Sequence, residues 1–168
     1  MITSSSRTSG GRLHPTGKWA WAYSMYVRGR QFYGAAILVR QQHGVFNHVP
    51  LYLECLSLEI VLKGLLLLKD FDLNRKKLKR IGHNLETLVT HSASTFHINA
   101  PKSDLKDELR MLNKFYSGHL MRYGGLHDIF IDPCSISSSR MTRRLRAIIR
   151  LTEREFRKRP EIAASIEF

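Results

Sequence analysis

Ser57-Leu58-Glu59-Ile60-Val61-Leu62-Lys63-Gly64 is an apolar run broken by one acid and one base four residues apart. A helix that is apolar on nearly every side is one enclosed by others. Acid before base at this spacing is the favourable order on a helix. The run lies inside a longer pattern from about Pro50 to Asp70, with Pro50 suited to a first turn. This segment is expected to be the central, most buried helix, with Glu54, Glu59 and Lys63 as its polar exceptions. Glu59 and Lys63 share a face with Cys55, Leu62 and Leu66. A buried ion pair is costly and need not stabilise. The pair therefore reads either as a satisfied ion pair between helices or as part of a site.

On the N-terminal side, Trp19, Ala22, Tyr26, Gly29, Tyr33 and Ile37 recur at helical spacing and predict a helix from about Lys18 to Gln42. Its aromatic face reads as core, with a stacking surface for bases as the alternative. On the C-terminal side, Asn74-Arg75-Lys76-Lys77-Leu78-Lys79-Arg80 reads as a basic linker ended by Gly82. A short helix follows from Asn84, a good N-cap, to His91 or Ser94. A loop over 95–102 leads to a helix with Ser103 as N-cap and Asp104 and Asp107 in its first turn. Leu105, Leu109, Leu112 and Tyr116 make its inner face, and Gly124-Gly125 stop it. A last helix is expected from Ser137 to Lys158. Only Ile129-Phe130-Ile131 hints at a strand. The fold class is all-α, an up-and-down bundle of four to five helices.

Composition bounds the rest. The 168 residues suit one domain with a core that needs no disulfide or metal. Residues 1–16, rich in Ser, Gly and Arg, read as a disordered basic tail, 17–160 as a single helical-bundle domain, and 161–168 as a C-terminal tail. Cys55 reads as core and Cys134 as a loop residue, which fits a reducing cytoplasm. No apolar run is long enough to span a membrane, and the N-terminus lacks the apolar stretch of a signal peptide. Twenty-seven Lys and Arg against 14 Asp and Glu give a net charge of +13. An excess this large favours polyanionic partners: RNA, a nucleotide, DNA or an acidic protein.

The charge is also ordered. On the last helix, Met141, Leu145, Ile148, Thr152 and Phe156 share one side, and Arg143, Arg146, Arg150, Arg154 and Arg157 share the other. A charge run is ordinarily a solvated face. Here Glu153 and Glu155 are the sole acids near it, and arginine binds phosphate bidentately. His83, after Gly82 and before a helix start, reads as a capping residue or as a partner for a carboxylate. Tyr116 completes a candidate polar cluster with Glu59, Lys63 and His83. Eight histidines are scattered with no zinc-type spacing, so no metal and no cofactor are expected. There is no Gly-rich phosphate loop and no nucleophile elbow.

Three segments in order, Leu58-Glu59-Ile60-Val61-Leu62-Lys63-Gly64, then Ile81-Gly82-His83-Asn84-Leu85-Glu86-Thr87-Leu88, then Leu112-Asn113-Lys114-Phe115-Tyr116 with Arg122-Tyr123-Gly124, resemble the HEPN superfamily over roughly residues 20–125. The resemblance implies a helical bundle, often a homodimer, in prokaryotic toxin, defence and nucleotide-related systems. Active ribonuclease members carry an arginine followed by a histidine after a short spacer. Arg122 and His127 stand at that spacing here, with Tyr123 where a polar residue is usual. The resemblance thus implies that Arg122 holds a phosphate and His127 moves a proton, in a metal-independent endoribonuclease that acts in a toxin–antitoxin or defence system. The alternatives are that Arg122 joins the Glu59, Lys63 and His83 cluster, or that the chain is a non-catalytic module. Such a module would dimerise or bind a cognate antitoxin or other acidic protein through its basic helix.

Overall fold

The computed structural model describes residues 15–43, 48–118, 121 and 138–159. They form six helices: α1 (Pro15–His43), α2 (His48–Lys69), α3 (Phe71–Ile81), α4 (Leu85–Thr95), α5 (Ser103–Ser117) and α6 (Ser139–Arg157). No strand occurs among the described residues, so the all-α reading stands. The weak strand signal at Ile129-Phe130-Ile131, both tails except Pro15 and Thr16, and the Gly124-Gly125 stop lie outside the described residues.

The central position of α2 follows from its composition. Fourteen of its 22 residues are buried, and it touches every other helix. Its most extensive partner is α1. The two approach closely because each brings a glycine to the contact. A Cβ at Gly64 would stand 2.9 Å from the Ala22 carbonyl oxygen, and one at Gly29 would collide with Val61 Cγ2. Ser57 Oγ, freed of water, donates to the Gly29 carbonyl at 2.7 Å. The aromatic face of α1 is core. Tyr23 and Tyr26 pack against Phe156 of α6 with ring centroids 5.3 and 5.4 Å apart. The expected inner position Ile37 is exposed, and Ala36 takes the buried place. A helix turning 3.6 residues per turn arrives there one residue earlier.

The basic segment 74–80 is not a linker. It belongs to α3, and this raises the helix count above the expected four to five. Asp70 caps α3 by accepting from Leu73 N–H at 3.0 Å. Gly82, with φ of 61°, closes it through its N–H to the Leu78 carbonyl. Phe71, Asn74 and Leu78 form the buried side. Asn74 is polar yet buried because its amide is fully used. Nδ2 donates to the carbonyls of Leu66 at 2.8 Å and Asp70 at 2.9 Å, and Oδ1 lies 3.1 Å from His91 Nε2. Burial, then the Lys77 charge, push the His91 pKa below its usual value. His91 is thus neutral at pH 7 and donates to Asn74.

Asn84 caps α4 as expected, accepting from Thr87 N–H at 2.9 Å. Ser103 does not cap α5. Lys102 holds the cap position without a side-chain bond, and Ser103 Oγ turns instead to Asp104. The last helix begins at Ser139 rather than Ser137, because Glu108 of α5 reaches its first turn. The Glu108 carboxylate accepts from Met141 N–H at 2.6 Å and Arg140 N–H at 3.4 Å. A carboxylate at that place satisfies orphan donors and complements the helix dipole.

Two alanine substitutions should have opposite signs. Gly34→Ala, with nothing within 4 Å of the new Cβ, should stabilise by about 0.5–1 kcal/mol through helix propensity. Gly64→Ala gains the same term but must push α1 backbone away, at a cost of about 1–3 kcal/mol. Urea unfolding should show a lowered midpoint for the latter and a raised one for the former.

Candidate functional site

Glu59 is 3% exposed and receives four polar contacts from three parts of the chain. Lys63 Nζ, one turn along α2, lies 2.6 Å from Oε1. The Tyr116 hydroxyl of α5 donates to Oε2 at 2.6 Å. His83, in the turn between α3 and α4, places Nδ1 3.1 and 3.0 Å from the two oxygens. An ionised carboxylate only accepts, so Nδ1 carries the proton. The sequence-expected cluster Glu59, Lys63, His83 and Tyr116 is therefore assembled as a unit. Nearby, Asn113 Oδ1 accepts from Leu85 N–H at 3.0 Å and ties α5 to the start of α4.

The electrostatics identify the role of the cluster. Burial pushes the Glu59 carboxyl up, but the bonds from Lys63, Tyr116 and His83 outweigh it and hold its pKa below the ordinary value. Burial, and then the adjacent Glu59 charge, push the Tyr116 phenol up, so it remains a donor. With both oxygens engaged, Glu59 is a poor base. The cluster fixes α2, the α3–α4 turn and α5 to one another. Cys55 beside it is buried and its thiol is pushed up by burial, then by Glu54 and Glu59, which leaves it unreactive.

The arginine stripe is the second assembly. Arg143, Arg146, Arg150, Arg154 and Arg157 are all exposed, while Met141, Thr142, Leu145, Ile148, Thr152 and Phe156 are buried. At about 100° per residue the five fall within an arc of roughly 80°, and they span about 21 Å of helix. Arg157 pairs with Glu153 at 2.8 Å, and Arg146 Nε donates to the Tyr33 hydroxyl. The side chains of Arg143, Arg150 and Arg154 make no hydrogen bond or ion pair with any described residue. The face is thus a row of guanidiniums with little internal compensation.

Sequence reading missed what lies under one end of this row. Glu54 of α2 is 1% exposed. It accepts from Thr142 Oγ1 of α6 at 3.0 Å and pairs with Arg40 of α1 at 3.1 Å. Burial raises its pKa, although Arg40 and Thr142 pull the other way. No local signal marks Arg40, since its partner sits on another helix. Arg122 and His127 lie outside the described residues. No group of three or more His, Cys, Asp or Glu among the described residues could hold a metal ion. No helix among them is long and apolar enough to cross a membrane.

Comparison with protein-family models, with curated proteins and with solved structures finds no match to this chain.

The two buried glutamates should respond oppositely to pH. Glu59 has a depressed folded pKa, so its stabilisation is complete above the unfolded value of about 4.3 and is lost as pH falls through the folded value. Glu54 has a raised folded pKa, so its contribution is complete below that unfolded value and is lost as pH rises through the folded one. Glu59→Gln should cost about 1–3 kcal/mol at pH 7 and flatten the acid limb of the stability profile. Glu54→Gln should steepen the net loss on acidification. Urea melts between pH 3 and 7 check both signs.

Proposed function

We propose that this chain is an HEPN-like RNA- or nucleotide-binding protein whose α6 arginines hold the sugar–phosphate backbone. One observation carries the reading: five exposed arginines lie along one arc of α6, and the side chains of three of them make no hydrogen bond or ion pair with a described residue. Guanidinium forks bind phosphate oxygens bidentately and stay charged at every physiological pH. A row about 21 Å long can meet several consecutive phosphates of a strand. The +13 net charge adds long-range attraction for the same partner.

In this reading the protein acts in a toxin–antitoxin or defence setting. Its catalytic form is a metal-independent endoribonuclease in which Arg122 holds the scissile phosphate and His127 serves as general acid or base. The saturated Glu59 cluster supports the bundle in that scheme and takes no part in the chemistry. A second reading is a non-catalytic module that dimerises or binds an acidic antitoxin through α6. The exposed Ile37, Leu38 and Val49 near the α1–α2 connection favour it, because apolar side chains of that size on the surface suit a protein contact.

Binding to a single-stranded RNA at about 0.15 M salt should weaken roughly ten- to a hundredfold when Arg150 and Arg154 are both changed to Glu, and the salt slope should drop by about 0.7 for each phosphate that is no longer neutralised. Unchanged affinity contradicts the interface. For the catalytic form, wild type should cleave RNA in EDTA and His127→Ala should not. Absent cleavage, or equal cleavage by both proteins, removes the enzyme and leaves the binding protein.

A further inference from the structure

At the N-terminal end of the α6 row the surface folds inward into a cleft of about 530 Å³, lined by Arg40, Ser138, Ser139, Thr142, Arg143 and Arg146. That volume lies within the roughly 300–1,000 Å³ typical of small-molecule clefts. Two helices from distant parts of the sequence supply the three guanidiniums, and a buried carboxylate and a half-buried hydroxyl aim two of them. Glu54 engages Arg40, and the Tyr33 hydroxyl engages Arg146 through Nε alone. The two terminal amino groups of Arg146 are left for a ligand. Arg143 has no partner among the described residues.

The hydroxyls have a structural reason to be available. Ser138 occupies the N-cap position of α6 but makes no side-chain cap bond, because Glu108 has taken the first-turn N–H groups. Ser139 beside it is exposed, and its hydroxyl makes no bond to a described residue. Asp104, on the neighbouring α5, is held by Arg140 at 3.3 Å and does not line the cleft. Even with Glu54 ionised, two of the three positive charges remain unbalanced. A phosphodiester brings one negative charge, whereas a phosphomonoester brings about 1.5 to 2 at pH 7.

From this geometry we infer that the cleft between α1 and α6 is a phosphomonoester site, bound by Arg40, Arg143 and Arg146 with Ser138 and Ser139. It takes the terminal phosphate of a nucleic-acid strand or the phosphate of a free nucleotide, and reads the end where the α6 row reads the backbone. The inference deepens the RNA-binding reading, because Arg143 and Arg146 belong to both. Its charge argument does not depend on that reading.

The test compares one oligoribonucleotide with a 5′-phosphate, with a 3′-phosphate and with hydroxyls at both ends, alongside adenosine monophosphate and adenosine. A phosphorylated end should bind about ten- to a hundredfold tighter than the hydroxyl strand, the range expected for one or two hydrogen bonds to a charged group. Ser139→Asp, which places a carboxylate in the cleft, should erase that ratio, and so should Arg143→Ala. Neither side chain is buried, and thermal melts without ligand report on their folding. If adenosine monophosphate also binds, and Ser139→Asp abolishes it, the site accepts free nucleotides. If only the phosphorylated strand gains, the site reads strand ends. Equal affinity for all three strands, with no binding of adenosine monophosphate, overturns the inference while leaving backbone binding by α6 intact. Binding of adenosine monophosphate with no strand bound would leave the cleft standing and remove the RNA reading.

Discussion

Two carboxylates buried on one helix decide how the others are placed. A charge withdrawn from water costs several kcal/mol unless it is paired and hydrogen-bonded. On α2, Glu59 recovers that cost from Lys63, His83 and Tyr116. Glu54 recovers part of it from Arg40 and Thr142, and burial still holds its pKa above the ordinary value. The first set draws the α3–α4 turn and α5 onto one side of α2. The second draws α1 and α6 onto another. Apolar contact is non-directional, so the partners of Glu54 and Glu59 add direction to the packing of α2 that its leucines do not supply.

This internal use of acids shapes the outer surface. Glu54, Glu59 and Glu108 are buried and engaged within the bundle. They represent three of the 14 acids that oppose 27 basic residues. Each has a basic partner of its own, so none of the three pairs with Arg143, Arg150 or Arg154. The excess lies on α6, α3 and α1. On α3 the cluster is largely lysine around a buried Asn74, which suits a solvated face. On α6 it is arginine in register along one arc, which suits phosphate. The same Glu108 that starts α6 releases the Ser138 hydroxyl beside Arg143, so the fold and the proposed anion-binding surface share one residue.

The apolar periodicities of α5 and α6 were legible because their burial follows a single repeating pattern, and α2 was legible because it is apolar on nearly every side. Met141, Leu145, Ile148, Thr152 and Phe156 are buried as the wheel requires, with the arginines outside. The helix α3 was hidden because one of its three inward positions is Asn74. An asparagine reads as a turn residue until its amide partners on Leu66, Asp70 and His91 are known. The Glu59 cluster was partly legible, since Lys63 sits at helical spacing and His83 at a helix start. The Arg40–Glu54–Thr142 arrangement was not, because its three members come from three helices and no local spacing relates them.

The claim that α6 is the nucleic-acid face is tested most directly by mapping which basic side chains an RNA strand shields from an arginine- and lysine-specific reagent. The account predicts protection of Arg143, Arg146, Arg150 and Arg154, with Arg75, Lys76 and Lys79 of α3 modified as readily as in the free protein. Protection confined to α3, or no protection on either helix at an RNA concentration that saturates binding, would contradict it.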